Sequence, residues 1–162
     1  MAPERWTVNA SPLILLGKTD ALWLLAELAG QLAVPEAVAK EVGAKPDGGA
    51  ILRAIHDSSA FVIVENETAP QEVLSWDLGA GETQVIANAL ANRVVRVVID
   101  DLAARRCARA LGLGIIGTLG IVGRAKAQGL IDEAAPLINR LRATGLYASD
   151  EIIMRLLKEV GE

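Results

Sequence analysis

One cysteine, one histidine, one tyrosine and one phenylalanine are all that those four residue types contribute to the 162-residue chain. With Cys107 alone, no disulfide can form within the chain, and nothing points to an oxidising compartment. With His56 as the single histidine, neither a Cys/His zinc site nor a His-Glu-x-x-His helix can be built. A Ser-His-Asp triad would have to run through His56, which sits in the polar stretch 53–59, and no Gly-x-Ser-x-Gly elbow occurs anywhere. Positive charge is also in short supply. Sixteen Lys+Arg against 20 Asp+Glu leave a net charge of −4, so a polyanion could be held only at a local basic patch, not by bulk charge. The longest uncharged run, 110–123, is 14 residues with five glycines, too short and too glycine-rich for a bilayer span. The start lacks the charged-then-apolar pattern of a signal peptide. The expectation is a soluble, cytoplasmic protein with no membrane partner.

What the chain does have is apolar residues: 52% of the total, with a mean hydropathy of +0.35. That is enough to bury one core, and with no linker or internal repeat the expectation is one domain over 1–162. Short β-type runs at 6–8, 31–34, 61–64, 94–99 and 114–116 alternate with helical patterns, the arrangement of parallel strands joined by crossover helices. The helical stretches are 12–16, 20–29, 35–42, 50–55, 81–91, 101–111, 119–128, 134–143 and 150–160. Ser11 before Pro12, Thr118 and Ser149 are expected N-caps, and Leu111-Gly112 and Gln128-Gly129 expected glycine-closed helix ends. Segments 45–49 and 65–71 read as surface loops. In the last helix Ile152, Ile153, Leu156, Leu157 and Val160 share one face, which predicts packing on the body.

Two motifs imitate phosphate-binding loops and fail on context. Gly112-Leu113-Gly114-Ile115-Ile116-Gly117 spells Gly-x-Gly-x-x-Gly, but its first glycine ends a helix and its middle is itself a strand, whereas a dinucleotide fingerprint follows a strand and opens a helix. Gly17-Lys18-Thr19 has Pro12 where a P-loop needs glycine. No nucleotide cofactor is expected. Trp6, Trp23 and Trp76 are too dispersed for a base-stacking platform and read as packing residues.

Three carboxylates stand where a purely structural sequence would avoid them. Glu41 shares a stripe with Ala37 and Val38, and Glu82 lines up with Val85, Ile86, Ala89 and Leu90, so both are expected to face inward. Asp100 directly follows Val97-Val98-Ile99, at the carboxyl end of a buried strand, and Asn9 holds the same place after Trp6-Thr7-Val8. Each has a structural explanation of its own: a helix-dipole partner for Glu82, an N-cap for Asp100-Asp101, the edge of a stripe for Glu41. Together they direct three carboxylates and an amide to one sheet edge, where open α/β sheets bind ligands and where a cation would neutralise the charge. Oxygen-only ligands favour Mg²⁺ or Mn²⁺.

In order along the chain, Val8-Asn9-Ala10-Ser11-Pro12-Leu13-Ile14, Pro35-Glu36-Ala37-Val38-Ala39-Lys40-Glu41-Val42, Gly81-Glu82-Thr83-Gln84-Val85-Ile86-Ala87 and Val98-Ile99-Asp100-Asp101-Leu102-Ala103-Ala104-Arg105 resemble the four acidic motifs of PIN domains. The match covers about residues 6–125, leaving C-terminal helices at about 130–160. It is most similar to a prokaryotic PIN-like subfamily whose first motif reads Asn-x-Ser-Pro-Leu-Ile and which resembles the toxins of VapBC-type pairs; the segment 111–126 fits that subfamily too. The resemblance implies a three-layer α/β/α fold with a short central parallel sheet and a metal-dependent ribonuclease activity. It implies Asn9, Glu41, Glu82 and Asp100 as the catalytic set, Asp101 as a further metal carboxylate, and Ser11 as a residue orienting a ligand or water. Asn9 departs from the pattern, since the nucleases usually carry aspartate there.

Such a site would hydrolyse RNA phosphodiesters by metal assistance, with no side-chain general base. Arg105, Arg106 and Arg109 are candidate phosphate contacts, with Arg124 and Lys126 further on; an ordinary solvated face is the competing account. The expected partners are RNA, a small antitoxin protein and a second copy of the chain, the last resting on the resemblance and on the generous apolar content. A catalytically weak or inactive module that binds RNA or a partner is the alternative, and Asn9 is the residue that favours it.

Overall fold

In a computed structural model, which describes residues 4–162, the strands β1 (Arg5–Val8), β2 (Gln31–Pro35), β3 (Phe61–Val64), β4 (Arg96–Val98) and β5 (Gly114–Ile116) form one parallel sheet in the order β3-β2-β1-β4-β5. In β1, Trp6, Thr7 and Val8 are all buried on successive, opposite-facing positions. A strand buried on both faces needs a helix layer on each side, which is the expected three-layer α/β/α arrangement.

Helices α1 (Ala10–Lys18) and α2 (Trp23–Leu28) join β1 to β2, and α3 (Glu36–Gly43) and α4 (Gly48–Asp57) join β2 to β3. The short α5 (Gln71–Leu74) and the long α6 (Ala80–Asn92) lead to β4, α7 (Leu102–Ala110) to β5, and α8 (Thr118–Ala127), α9 (Ala135–Thr144) and α10 (Asp150–Glu159) follow. Helix α6 packs on β1, β2 and β4, on the face where Thr7 Oγ1 donates to Asn88 Oδ1 at 2.8 Å in the interior. The other face carries Trp6, with the Arg124 guanidinium of α8 over its ring. Leu16, Leu24, Leu25, Leu32, Val34, Ile86, Val97 and Ile121 are fully buried between the layers, each worth about 1.5–3 kcal/mol of transfer free energy.

Several local expectations change. The stretch 94–99 shortens to β4, and 71–74 forms a turn of helix around buried Val73. Helix α4 begins inside the expected 45–49 loop, at Gly48. Ser11 and Thr118 lie inside their helices, because the N-cap positions fall to Asn9 and Gly117, neither with a side-chain cap. Ser149 does cap α10, accepting from the backbone N–H of Ile152 at 3.2 Å. Gly112 (φ 78°) and Gly129 (φ 74°) close α7 and α8 in the left-handed region that glycine enters without cost. On α10 only Ile153 is buried, while Ile152 stands 51% exposed, so the expected packing face is only partly covered. No described helix is long and apolar enough to cross a membrane.

Candidate metal site at the carboxyl edge of the sheet

Each βα unit starts its helix at the carboxyl edge of its strand, so Asn9, the N-terminal turn of α6 and Asp100 come to the same edge. Asn9 is held by its backbone N–H, which donates to the carbonyl of Val98 at 3.0 Å and continues the β1–β4 ladder one residue past the strand. The residue is 3% exposed, and its side-chain Oδ1 is buried with no hydrogen-bond partner. Buried carbonyl oxygens are rarely left so, since the desolvation costs about 1–3 kcal/mol.

Gly81 explains how α3, α6 and β1 converge there. A Cβ at Gly81 would lie 2.6 Å from Glu41 Oε2 and 3.3 Å from Asn9 Oδ1, so a larger residue would displace the Glu41 oxygen and crowd the Asn9 carbonyl. The carboxylate of Glu41 and the carbonyl of Asn9 thus abut one point on α6. Glu82 follows in the first turn of that helix, half-buried, with Oε2 2.6 Å from where a Cβ on Gly79 would sit. The Glu41 carboxyl is pushed above its ordinary range, first by the partial desolvation that its place beside α6 brings although the residue is exposed, and then by the negative charge of Glu82, against the opposing charge of Lys45. The inward phase expected for Glu41 is corrected in one respect: Val38 and Val42 enter the core, while Glu41 remains solvent-exposed beside α6.

Asp100 belongs to a second constellation. Its Oδ1 accepts from the backbone N–H of Thr118 at 2.7 Å, and its Oδ2 from the Thr118 hydroxyl at 2.6 Å. The Ser11 hydroxyl donates to Oδ2 from 3.4 Å, a long contact. A Cβ at Gly117 would meet Asp100 Oδ1 at 3.0 Å and Arg105 Nη1 at 2.5 Å, so a second glycine lets a carboxylate and a guanidinium share a corner. Arg105 Nη1 also donates to the carbonyl of Ile99 at 3.3 Å. Asp101 has a different job: its Oδ2 accepts from the backbone N–H of Ala104 at 2.9 Å and caps α7.

The structure therefore brings Asn9 and Glu41 together at Gly81 with Glu82 adjoining, and gathers Asp100, Ser11 and Arg105 on the neighbouring strand end. Arg106 and Arg109 are exposed further along α7. Arg124 and Lys126, the candidate phosphate contacts further along the chain, are at the far end of α8, where Arg124 covers Trp6 and Lys126 pairs with Glu162 at 3.9 Å. From sequence, Thr118 is expected only as a cap. Its partnership with Asp100 depends on β5 lying next to β4, and strand order leaves no mark on local sequence.

An unpartnered buried carbonyl beside a carboxylate of raised affinity for protons, with a second carboxylate adjoining, is a set of hard oxygen acceptors of the kind that suits Mg²⁺ or Mn²⁺. The donor chemistry fits such an ion. Among the described residues, no three His, Cys, Asp or Glu side chains are close enough together to hold one as they stand, and Asp100 is occupied by Thr118.

A solved structure, PAE2754 from Pyrobaculum aerophilum, superposes with a TM-score of 0.53 over 76% of this chain and 90% of that one, at 20% identity; at that identity the likeness speaks for the fold. No curated protein matches. A model of the family DUF3368, described as a PIN domain, matches residues 5–162, nearly the whole chain. The chain belongs to this PIN-domain family, a nuclease fold.

Proposed function

We propose that the chain is a divalent-metal-dependent ribonuclease whose site is Asn9, Glu41, Glu82 and Asp100. The observation that carries the reading is the buried Asn9 Oδ1, without a partner and next to the Glu41 carboxylate at Gly81. Asn9, Glu41 and Glu82 would hold Mg²⁺ or Mn²⁺, and Asp100 would complete the set from β4. When bound, the ion supplies positive charge that polarises a phosphodiester and eases deprotonation of an attacking water.

The chain's own residues do the rest. Thr118 fixes both oxygens of Asp100, and Ser11 adds a donor, so the carboxylate is oriented before substrate arrives. Arg105, held over the same corner by Ile99, offers its remaining donors to a phosphate oxygen, and Arg106 and Arg109 extend positive charge along exposed α7. The carboxyl edge of the sheet would thereby present acceptors for a cation and donors for an anion side by side. Cleavage of single-stranded RNA in Mn²⁺ or Mg²⁺, absent in EDTA and strongly reduced in Glu82→Gln, tests this; equal cleavage in EDTA would refute it.

The role of toxin paired with a small antitoxin, working in the cytoplasm as a homodimer, belongs to the same proposal and rests on the motif resemblance. Growth arrest on expression, relieved by a protein from an adjacent reading frame, tests the first part, and light scattering the second. A non-cleaving RNA-binding module is the second reading, favoured by Asn9, which brings no charge to the ion.

A further inference from the structure

Among the described residues only two buried side-chain polar atoms lack a hydrogen-bond partner. One is the acceptor Asn9 Oδ1. The other is a donor, Arg96 Nε, at the opposite edge of the sheet, and it belongs to a cluster that the proposed nuclease site does not use. Arg96 opens β4 beside Trp6 of β1. Its guanidinium lies 5.6 Å from the centroid of the Trp6 ring, and that of Arg124 lies 5.9 Å from the same centroid.

Both arginines line one open groove of about 420 Å³, walled by Gly120 of α8 and by Leu156, Glu159 and Val160 of the α10 region. Neither forms an ion pair among the described residues. Two carboxylates are nearby. Glu4 gives one oxygen to the Trp6 indole N–H at 2.8 Å, and Glu159 lines the groove without pairing to either arginine. The proximity of Arg124, after burial, holds the Arg96 guanidinium below its ordinary proton affinity, with Glu4 opposing.

Like charges facing one groove repel unless an anion lies between them, and a guanidinium donor buried without an acceptor is costly. Two planar forks from different elements, stacked against an indole, can grip several oxygens of one group at once. A carboxylate offers two oxygens and a terminal phosphate three. The groove wall beside them is largely apolar and would take an uncharged body attached to that group. From this geometry we propose that Arg96 and Arg124 form a phosphate-binding site at the amino edge of the sheet, separate from the carboxyl-edge site, for a phosphate free or carried on a nucleotide or RNA strand.

The test is calorimetric titration of the full chain with inorganic phosphate, a 5′-nucleoside monophosphate and a short RNA, at constant ionic strength with chloride as reference, followed in parallel by the Arg96 Nε–Hε resonance. Binding that moves this resonance is expected, weakened roughly tenfold or more by Arg124→Gln, where a charge-assisted contact is lost. Glu159→Gln should act in the opposite direction and tighten binding, a sign that loss of folding cannot imitate. Binding of phosphate and nucleotide would identify a free ligand; binding of RNA alone would identify a strand contact. An unmoved Arg96 resonance with all three probes, or equal affinities in wild type, Arg124→Gln and Glu159→Gln, would overturn the proposal. Cleavage assays address the carboxyl-edge site, so failure of one reading leaves the other standing.

Discussion

The two edges of this sheet are opposite in polarity. At the carboxyl edge the unsatisfied group is an acceptor, Asn9 Oδ1, flanked by Glu41 and Glu82; at the amino edge it is a donor, Arg96 Nε, flanked by Arg124. The parallel topology accounts for the contrast. Helices α1, α3, α6, α7 and α8 start at the carboxyl edge and run back towards the amino edge, so their positive ends gather where the acids are and their negative ends where the arginines are. Helix dipoles thus make the acidic and basic ends tolerable, by a few tenths to about 1 kcal/mol per charge. They do not supply hydrogen-bond partners, and the two orphaned atoms mark where that general accommodation stops.

The largest effect expected at the acidic edge is on activity. Glu82→Gln keeps the shape of the side chain and removes its charge, and should lower RNA cleavage by about 10²–10³-fold, the scale of losing one charge-stabilising group, with an unchanged melting temperature. Gly81→Ala comes next. Its methyl would occupy the point shared by Glu41 Oε2 and Asn9 Oδ1, so Mn²⁺ affinity by calorimetry should fall although alanine is the better helix former by about 1 kcal/mol; undiminished affinity would mean that those oxygens do not bind the ion. Asn9→Asp should tighten Mn²⁺ binding and, without metal, lower the midpoint of urea unfolding, because a further anion would be placed beside Glu41 and Glu82.

Smaller effects separate structural charges from functional ones. Asp101→Ala removes the α7 cap and should cost about 1 kcal/mol in urea unfolding, and Asp101→Asn, which also caps, should recover most of it. The smallest effect belongs to Glu162, whose carboxyl is held below its ordinary range chiefly by the backbone N–H of Ala134, then by that of Ala135 and the charge of Lys126. Its contribution is present above the ordinary carboxylate range and is lost as pH falls through the lowered value. Glu162→Gln should therefore flatten the acid limb of stability against pH without changing stability's trend near neutrality.

Much of this was legible in the residues. All five strands and their parallel connection followed from short β-branched runs separated by helical periods, and the stretches 61–64 and 114–116 match β3 and β5 to the residue. Helix α5 was not legible, because four residues around one buried valine carry no period. At the site, strand-end position pointed to Asn9 and Asp100, but not to which of Asp100 and Asp101 faces the edge; the N-cap geometry at Ala104 decides that. Thr118 and the Trp6–Arg96–Arg124 cluster could not be read because both rest on β1, β4 and β5 being neighbours, a fact of topology. Glu41 shows the limit of helical phase: periodicity gave the side of α3, and the adjacent α6 settled how much water reaches it.

The pairing of β1 with β4 also has a consequence in time. Residues 6–8 must meet residues 96–98, so the middle of the sheet closes across a stretch of about ninety residues, the slowest kind of contact for a chain to find. Asn9, Glu41 and Glu82 are all made before β4, whereas Asp100 and Thr118 come after it. A nascent chain can fold its first three strands and still lack Asp100 and the Thr118 that orients it. Catalytic competence would arise with the docking of β4 and β5 and not gradually, and stopped-flow refolding should show RNA cleavage appearing only in the last kinetic phase.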